Sequence, residues 1–514
     1  MKKFLAVLLA CAALCGCAAA KDEIVISTGV NMVAGKFDPT TGFGAWGPDI
    51  FHCHLLKIGA NNELVFDLAT SEKISPDGLT YVYELRKDAK FADGMPLTAK
   101  DVVFTFETTK VKASAVDLSM MESVKALDDY TVEFKLSKPW SLFSYNVSYL
   151  GIATAHAYNA DTYGERPLCS GAWKIIDFQK DQQLILAPNE HYYGPKSPFK
   201  RVTILKVDED AALAVAQSGK LDFVYIESEY TNVPVKDMKL LSIDVLGSLA
   251  VNLPVIPEGT APNGNKVGNN VTCDPAIRKA LNIGINRAEL VERALNGRGT
   301  PSYSIGGDTL PWTARIAFDD NRVEEAKKLL DDAGWKVGPD GVRVKNGVRA
   351  EFTVTGRSND NARYNTVVAL ADNVKALGIK INAKSAPWAD ARKIARSTPT
   401  CWIFGAPSPS DFYLYFHSDN INRATIGNPP SYGNPKVDEL IDRALAETDH
   451  AVANQCWQQA EALTAEDVPF LFISHPQNNY LVREGLVIPP LGHVPVKNQG
   501  LSIMENLNLW SWAD

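Results

Sequence analysis

Short apolar runs and alternating stretches dominate the mature chain, and the first of them, residues 23–28, reads as a buried β-strand feeding an irregular Gly- and Pro-containing stretch that extends to Pro48. From Ile50 the pattern changes to short strands and turns. Pro76-Asp77-Gly78 has turn chemistry, and residues 80–85 alternate as a half-buried strand. Residues 97–109 have helical spacing, with Thr98 as N-cap and Asp101 as the acid three positions on, a variant of the capping box. Residues 129–136 add another strand, so this region reads as a β-rich subdomain. Further on, 171–186 reads as two strands and 202–207 as a third, and a short helix over 210–218 leads to a strand over 221–226.

The second half repeats the α/β theme. Residues 275–295 and 323–333 carry apolar positions at helical spacing, the latter ended by Gly334. Residues 351–354, 362–377 and 379–383 give strand, helix, strand. Helices over 435–447 and 452–465 precede a strand over 470–474. No internal repeat or low-complexity tract is visible. A chain of 514 residues has room for two or three domains of about 100–200 residues each.

The first residues stand apart. Lys2 and Lys3, the apolar run 4–14 and Leu14-Cys15-Gly16-Cys17 have the layout of a bacterial lipoprotein signal, with residues 1–16 removed and Cys17 lipidated. The apolar run is shorter than the roughly 20 residues a membrane span needs. Several acyl chains on Cys17 would hold the protein on the extracytoplasmic face of a membrane, periplasmic or at the cell surface, with 18–22 as a tether. Loss of Lys2 and Lys3 from 52 bases leaves 50 against 60 acids, a net charge near −10. Such a balance argues against nucleic acid as a partner. Of eight cysteines, Cys53, Cys169, Cys273, Cys401 and Cys456 remain in the mature domain. Their spacings are irregular, no CxxC pair exists, and the pattern leaves both a disulfide and buried free thiols open.

Residues 68–107, LATSEKISPDGLTYVYELRKDAKFADGMPLTAKDVVFTFE, resemble the signature of family-5 extracellular solute-binding proteins, which serve peptide, nickel and opine ABC importers. Four more blocks agree in order. Ser170-Gly171-Ala172-Trp173 through Asn189-Glu190-His191-Tyr192-Tyr193-Gly194 is similar to a "G-P-Y … N-x-x-Y-W" block, with Ala172 and Tyr193 in place of the usual Pro and Trp. DPAIRKALNIGIN, from Asp274 to Asn286 and followed by Arg287, AKKLLDDAG at 326–334 and NPKVD at 434–438 complete the set. The resemblance implies an α/β, two-lobed fold of the periplasmic-binding-protein type with an extra β-rich subdomain. Lobe I would comprise 22–249 plus 480–514 and lobe II 250–479. Two strands, near 249–255 and 470–475, would cross between them as a hinge.

Clefts that close on a ligand bury it between aromatic walls with a few polar anchors. CWIFGAPSPSDFYLY, 401–415, concentrates such rings, and the resemblance places it at the ligand pocket. Trp402, Phe404 and Tyr413 are candidate contacts, and Trp46, in a Gly-flanked loop, is another. Dipeptide binders of the family begin a "D-P-D-x-F" motif here with the acid that holds the peptide ammonium. This chain has Ser408-Pro409-Ser410-Asp411-Phe412, so Ser408 replaces that acid and Asp411 is left as its candidate substitute. Gly405-Ala406-Pro407 is similar to the matching loop of nickel-chelate binders, which makes a metal chelate or an opine the alternative ligand. His417 is a further candidate contact. His52-Cys53-His54 offers soft ligand types, but neighbouring side chains of an extended segment point apart, so the triplet is not assigned to a metal. Arg392 and Arg396 read as surface helix arginines.

No GxSxG elbow, HExxH, Walker loop or dinucleotide fingerprint is present, which argues against an exported hydrolase. The sequence therefore points to a monomeric, lipid-anchored, non-enzymatic receptor that needs no cofactor. It would capture a small solute, foremost a short peptide, and pass it to an ABC permease and its ATPase.

Overall fold

The computed structural model describes residues 22–28, 36–44, 49–112, 114, 116–208, 210–307, 310–421, 427–492 and 502–513. Cys17 and Trp46 lie outside them. The fold is mixed α/β and two-lobed, built around a ten-stranded sheet. Its path runs Cys401–Phe404, Ser248–Asn252, Phe470–Arg483, Phe223–Ile226, Glu23–Ser27, Arg201–Leu205, Gln183–Pro188 and Trp173–Gln179. Glu23–Ser27 sits between two parallel partners, Arg201–Leu205 and Phe223–Ile226. Along it the alternate residues Ile24 and Ile26 are buried, at 1 % and 0 % exposure, with Val25 half-buried between them.

The fourteen-residue strand Phe470–Arg483 ties the sheet together. Its first residues pair with Ser248–Asn252, in the register Asn252 to Phe470, and its later ones with Phe223–Ile226 and Met238–Asp244. The sequence pattern ends this strand at Ser474, two residues before Pro476. The strand instead runs through it, Pro476 lying opposite Gly299 of the short strand Gly299–Pro301, since a proline is tolerated where the ladder asks no N–H of it.

A separate antiparallel sheet, ordered Ala69–Ile74, Thr80–Leu85, Thr131–Leu136, Met121–Asp128, forms the β-rich part, packed by the helix Ala99–Val111. Asp101 of that helix accepts from the Thr98 N–H at 2.9 Å and reaches across to the Ala155 N–H at 2.9 Å. In the second half, Glu351–Arg357 and Lys380–Ala386 pair in parallel around the helix Asn361–Asn373, as strand–helix–strand order requires.

The helix expected over 275–295 is two helices, Pro275–Gly284 and Arg287–Leu295. Asn286 starts the second by accepting the Glu289 N–H at 3.1 Å, so a new N-cap breaks the run. Arg287 is then fully buried, donating to Ser302 O, Phe472 O and Asn282 O, beside Asp320. Cys53, Cys169, Cys273, Cys401 and Cys456 are all free thiols. Among the described residues no helix is long and apolar enough to cross a membrane.

Candidate functional site

A cavity of about 1040 Å³ opens between the β-rich side of the molecule and the loop that follows the edge strand Cys401–Phe404. That loop, Gly405 to Pro409, runs into the short helix Ser410–Phe416. Asp411, in the first turn of this helix, lines the cavity at 8 % exposure. Its carboxylate accepts from the Gly405 and Ala406 N–H groups, but at 3.4 and 3.3 Å. Burial raises the Asp411 carboxyl above its ordinary range, and the two amides only partly oppose it. The Tyr149 hydroxyl lines the same cavity, buried beside Ser408 of this loop. Burial raises that phenol, Tyr145 and the charge of Asp411 add to the rise, and the neighbouring Ser408 partly opposes it. An acid met only by two long N–H contacts leaves room for one more donor-rich group.

Tyr413 lines the same cavity, its ring edge-to-face with Trp140 at 5.2 Å from the β-rich side. The other residues that the sequence marks in this loop lie elsewhere. Trp402 is 2 % exposed; its indole donates to Asn252 Oδ1 at 2.9 Å and its ring packs on Trp388. Phe404 packs against Tyr415, Phe470 and Phe472. Both sit on a strand covered on its two faces, so alternation sends neither ring into the cavity. Ser408 is fully buried and shares a hydrogen bond of 2.7 Å with Ser410. His417 is 3 % exposed: its Nδ1 accepts the Asp419 N–H at 3.1 Å, and its Nε2 stands 3.3 Å from Asp442. Arg396 is not on the surface; it is 8 % exposed and donates to Gly427 O at 3.0 Å.

The opposite wall carries the His52-Cys53-His54 triplet, organised around an acid that the sequence did not mark. Asp49 Oδ1 accepts the N–H groups of Phe51 and His52 at 3.0 and 3.1 Å, and its Oδ2 takes the His52 ring nitrogen Nδ1 at 2.8 Å. Burial alone would raise this carboxyl; the neighbouring His52 and His54 override it and hold Asp49 ionised. His54 donates from Nδ1 to Ser148 O at 2.8 Å, which turns Nε2 toward Asp49 Oδ2 at 3.6 Å. Burial disfavours charge on His54, yet the hydrogen bond and charge of Asp49, helped by Asp67, raise its pKa. Between the two imidazoles Cys53 turns away, its thiol donating to Ser170 O at 3.0 Å. Burial pushes that thiol up to about 12, so it is no thiolate ligand. Among the described residues no group of three or more His, Cys, Asp and Glu is arranged to hold a metal ion. The sequence singled out His52 and His54, while Asp49, Trp140 and Tyr149 were missed; only the Asp three positions before a His gave a local signal.

The family model of bacterial extracellular solute-binding proteins, family 5 (the "Middle" region), matches residues 63–423, a span that includes the 405–411 loop, Trp140 and Tyr149 and begins after the Asp49–His54 cluster. The chain belongs to this family. Family-5 relatives extend along most of its length. Protein XP55 of Streptomyces lividans is 28 % identical over 484 residues, 90 % of this chain and 85 % of that protein. The oligopeptide-binding protein AppA of Bacillus subtilis is 26 % identical, covering 85 % of this chain and 83 % of the other. Among solved structures, NikZ from Campylobacter jejuni in complex with Ni(L-His) superposes with a TM-score of 0.79 at 22 % identity, over 96 % of this chain and all of that one. This family-5 solute-binding protein therefore shares the fold of solute receptors used in transport, a family of binders rather than enzymes.

Proposed function

We propose that this protein is the receptor of an ABC importer and captures short peptides, holding the peptide α-ammonium on Asp411. The observation that carries the reading is the buried Asp411 carboxylate in the cavity wall, met only by two long N–H contacts, with the Tyr149 hydroxyl lining the same space. An ammonium supplies charge-assisted donors that such a carboxylate lacks. A cavity of about 1040 Å³ is at the upper end of the roughly 300–1,000 Å³ of ordinary ligand pockets, which suits peptides longer than two residues. AppA, a relative along most of the chain, is named for oligopeptides.

In this reading lobe I is 22–249 plus 480–514 and lobe II is 250–479. Support comes from the strand Phe470–Arg483, which pairs with Ser248–Asn252 at one end and with Phe223–Ile226 and Met238–Asp244 at the other. Closure presents the loaded protein to the permease, the ATPase drives release, and Cys17 tethers the receptor to the membrane as a monomer. Of the residues marked in the sequence, Asp411 and Tyr413 carry the contact, and Trp46, outside the described residues, stays a candidate. Ser408 acts by fixing Ser410 at the start of the helix, and Trp402, Phe404 and His417 shape the loop from behind.

One observation favours a second reading, a metal chelate. His54 Nε2 and Asp49 Oδ2 stand 3.6 Å apart on one cavity wall, a spacing at which both could reach one ion at about 2.1 Å. The test is a thermal-shift and calorimetric comparison on protein lacking residues 1–16. Di- to pentapeptides, their N-acetylated forms, and nickel with and without L-histidine are the probes. Peptides that raise the midpoint only with a free amino terminus support the main reading. A response only to nickel with histidine replaces it with the second, and silence from all probes refutes both.

A further inference from the structure

Glu461 is an acid where an apolar residue would be expected. It lies within the helix His450–Asp467 at 2 % exposure and does not line the cavity. Its two oxygens are each used. Oε1 accepts the Ile305 N–H at 3.1 Å and Oε2 accepts the Ala314 N–H at 2.5 Å. Gln458, one turn earlier on the same helix, donates to Pro311 O at 2.9 Å. The helix thus grips both ends of one loop segment through its backbone. A carboxylate buried in this way is costly unless its hydrogen bonds are needed, and the amides it satisfies would otherwise be left unpaired inside the protein.

What the gripped segment carries is Trp312, 1 % exposed, whose indole N–H donates to Pro407 O at 3.1 Å. Pro407 belongs to the loop that lines the cavity, directly after the two residues whose N–H groups meet Asp411. A continuous path of hydrogen bonds therefore runs from Glu461 to the backbone that aims the anchoring acid.

We propose that Glu461 is a positioning residue for solute capture: by clamping Ile305 and Ala314 it seats Trp312 on Pro407 and so fixes the loop that directs Asp411 into the cavity. The proposal rests on the reading of Asp411 as the ligand anchor, and its test separates the two. Hydrogen exchange is followed in Glu461→Gln, which keeps one acceptor oxygen, in Trp312→Phe, which keeps the ring and loses the donor, and in the double variant. The reporter is the segment 403–412, with the helix Ala99–Val111 as control.

Glu461→Gln is expected to speed exchange in 403–412 about tenfold and to leave Ala99–Val111 unchanged. Trp312→Phe is expected to give the same pattern, and the double variant no more than either single one, because both act on one path. Exchange in 403–412 that stays at the wild-type rate overturns the proposal, and so does an even acceleration that includes Ala99–Val111, which is the mark of a purely structural role. Binding of tetra-alanine is measured alongside, and a tenfold weaker affinity in each single variant supports positioning. If tetra-alanine does not bind the wild type while the exchange pattern holds, the clamp is supported and the peptide reading falls.

Discussion

Replacing Asp411 by asparagine keeps the shape of the side chain and one acceptor oxygen for the Gly405 and Ala406 amides, removes the charge and turns the other oxygen into an NH2 donor. If the carboxylate holds an ammonium, the variant loses a charge-assisted hydrogen bond in a buried site. Such bonds contribute about 1.5–3 kcal/mol, and at about 1.4 kcal/mol per decade the dissociation constant of tetra-alanine should rise roughly 10- to 150-fold. Stability should move the other way. Asp411 carries its charge at 8 % exposure against donors at 3.4 and 3.3 Å, so the neutral amide relieves a desolvation cost and the melting temperature of the ligand-free variant should be unchanged or higher. Opposite signs for affinity and stability distinguish loss of an anchor from loss of fold.

The pH dependence gives a second readout. Only the ionised carboxylate holds an ammonium, and burial raises the Asp411 pKa in the ligand-free protein. Affinity should therefore be full at pH above that raised pKa and fall as the pH drops through it, approaching tenfold per pH unit, earlier than an exposed aspartate would dictate. Asp411→Asn should lose this slope. Calorimetry of tetra-alanine and of its N-acetyl derivative, from pH 7.5 down to pH 4.5, reads both effects. A variant that binds within twofold of wild type with the same pH profile would refute the assignment.

Three further outcomes are expected. Burial raises Glu461 from 4.5 to about 7, so the folded state favours its protonated form; the stability this confers is complete below about pH 4.5 and is lost as the pH rises through 7, about 3 kcal/mol in all. Urea titrations of Glu461→Gln should show a correspondingly flatter pH profile, and an unchanged slope would mean another group is responsible. Gly171→Ala would place a Cβ 2.6 Å from Ile50 O and 2.8 Å from Phe51 C, backbone that cannot turn aside. Its unfolding free energy should fall by about 1–3 kcal/mol and the adjoining His52–His54 wall should shift, visible in the histidine NMR signals. Cys53, with its thiol pushed up to about 12 by burial, should resist iodoacetamide at pH 8 in the native protein and react on unfolding; rapid native labelling would contradict its burial against Ser170.

Where the determinants are local, the sequence is informative about the fold. The Thr98–Asp101 pair starts its helix, the Asp77-Gly78 turn joins Ala69–Ile74 to Thr80–Leu85, and strand–helix–strand order gives the parallel pair Glu351–Arg357 and Lys380–Ala386. It is less informative where a tertiary partner decides. Pro476 could be passed because its edge partner needs nothing from it, and Asn286 divides a helix whose apolar spacing continues across the break. The same limit governs the site. Aromatic density marks the loop 401–415 but cannot tell Tyr413, which meets Trp140, from Trp402 and Phe404, which fill the space behind. Nor can spacing reveal that Tyr149 and Asp411 share a cavity, or that His52 and His54 both turn on Asp49.

On the proposed division of lobes, residues that line the cavity take part in contacts between lobe I and lobe II. There Ser141 donates its N–H to Leu445 O and its hydroxyl to Ala444 O, both at 2.8 Å, taking up carbonyls at the end of the helix Pro435–Ala446, and Trp140 meets Tyr413. Those two hydrogen bonds and that aromatic pair amount to about 2–4 kcal/mol gross, and other bonds across the same division, Asn296 Nδ2 to Ser228 O at 3.3 Å, Arg298 Nε to Thr231 Oγ1 at 3.1 Å and Asn361 Nδ2 to Glu229 Oε1 at 3.3 Å, add to them. A ligand shifts the balance only through interactions it makes in the closed state and lacks in the open one. A solute that reaches Asp411 on one lobe and the Tyr149 and His54 wall on the other meets that condition, because either half of the contact is forfeited when the lobes part. On the proposed reading, the long contacts of Asp411 inside the cavity are thus what give occupancy a hold on the shape the permease meets.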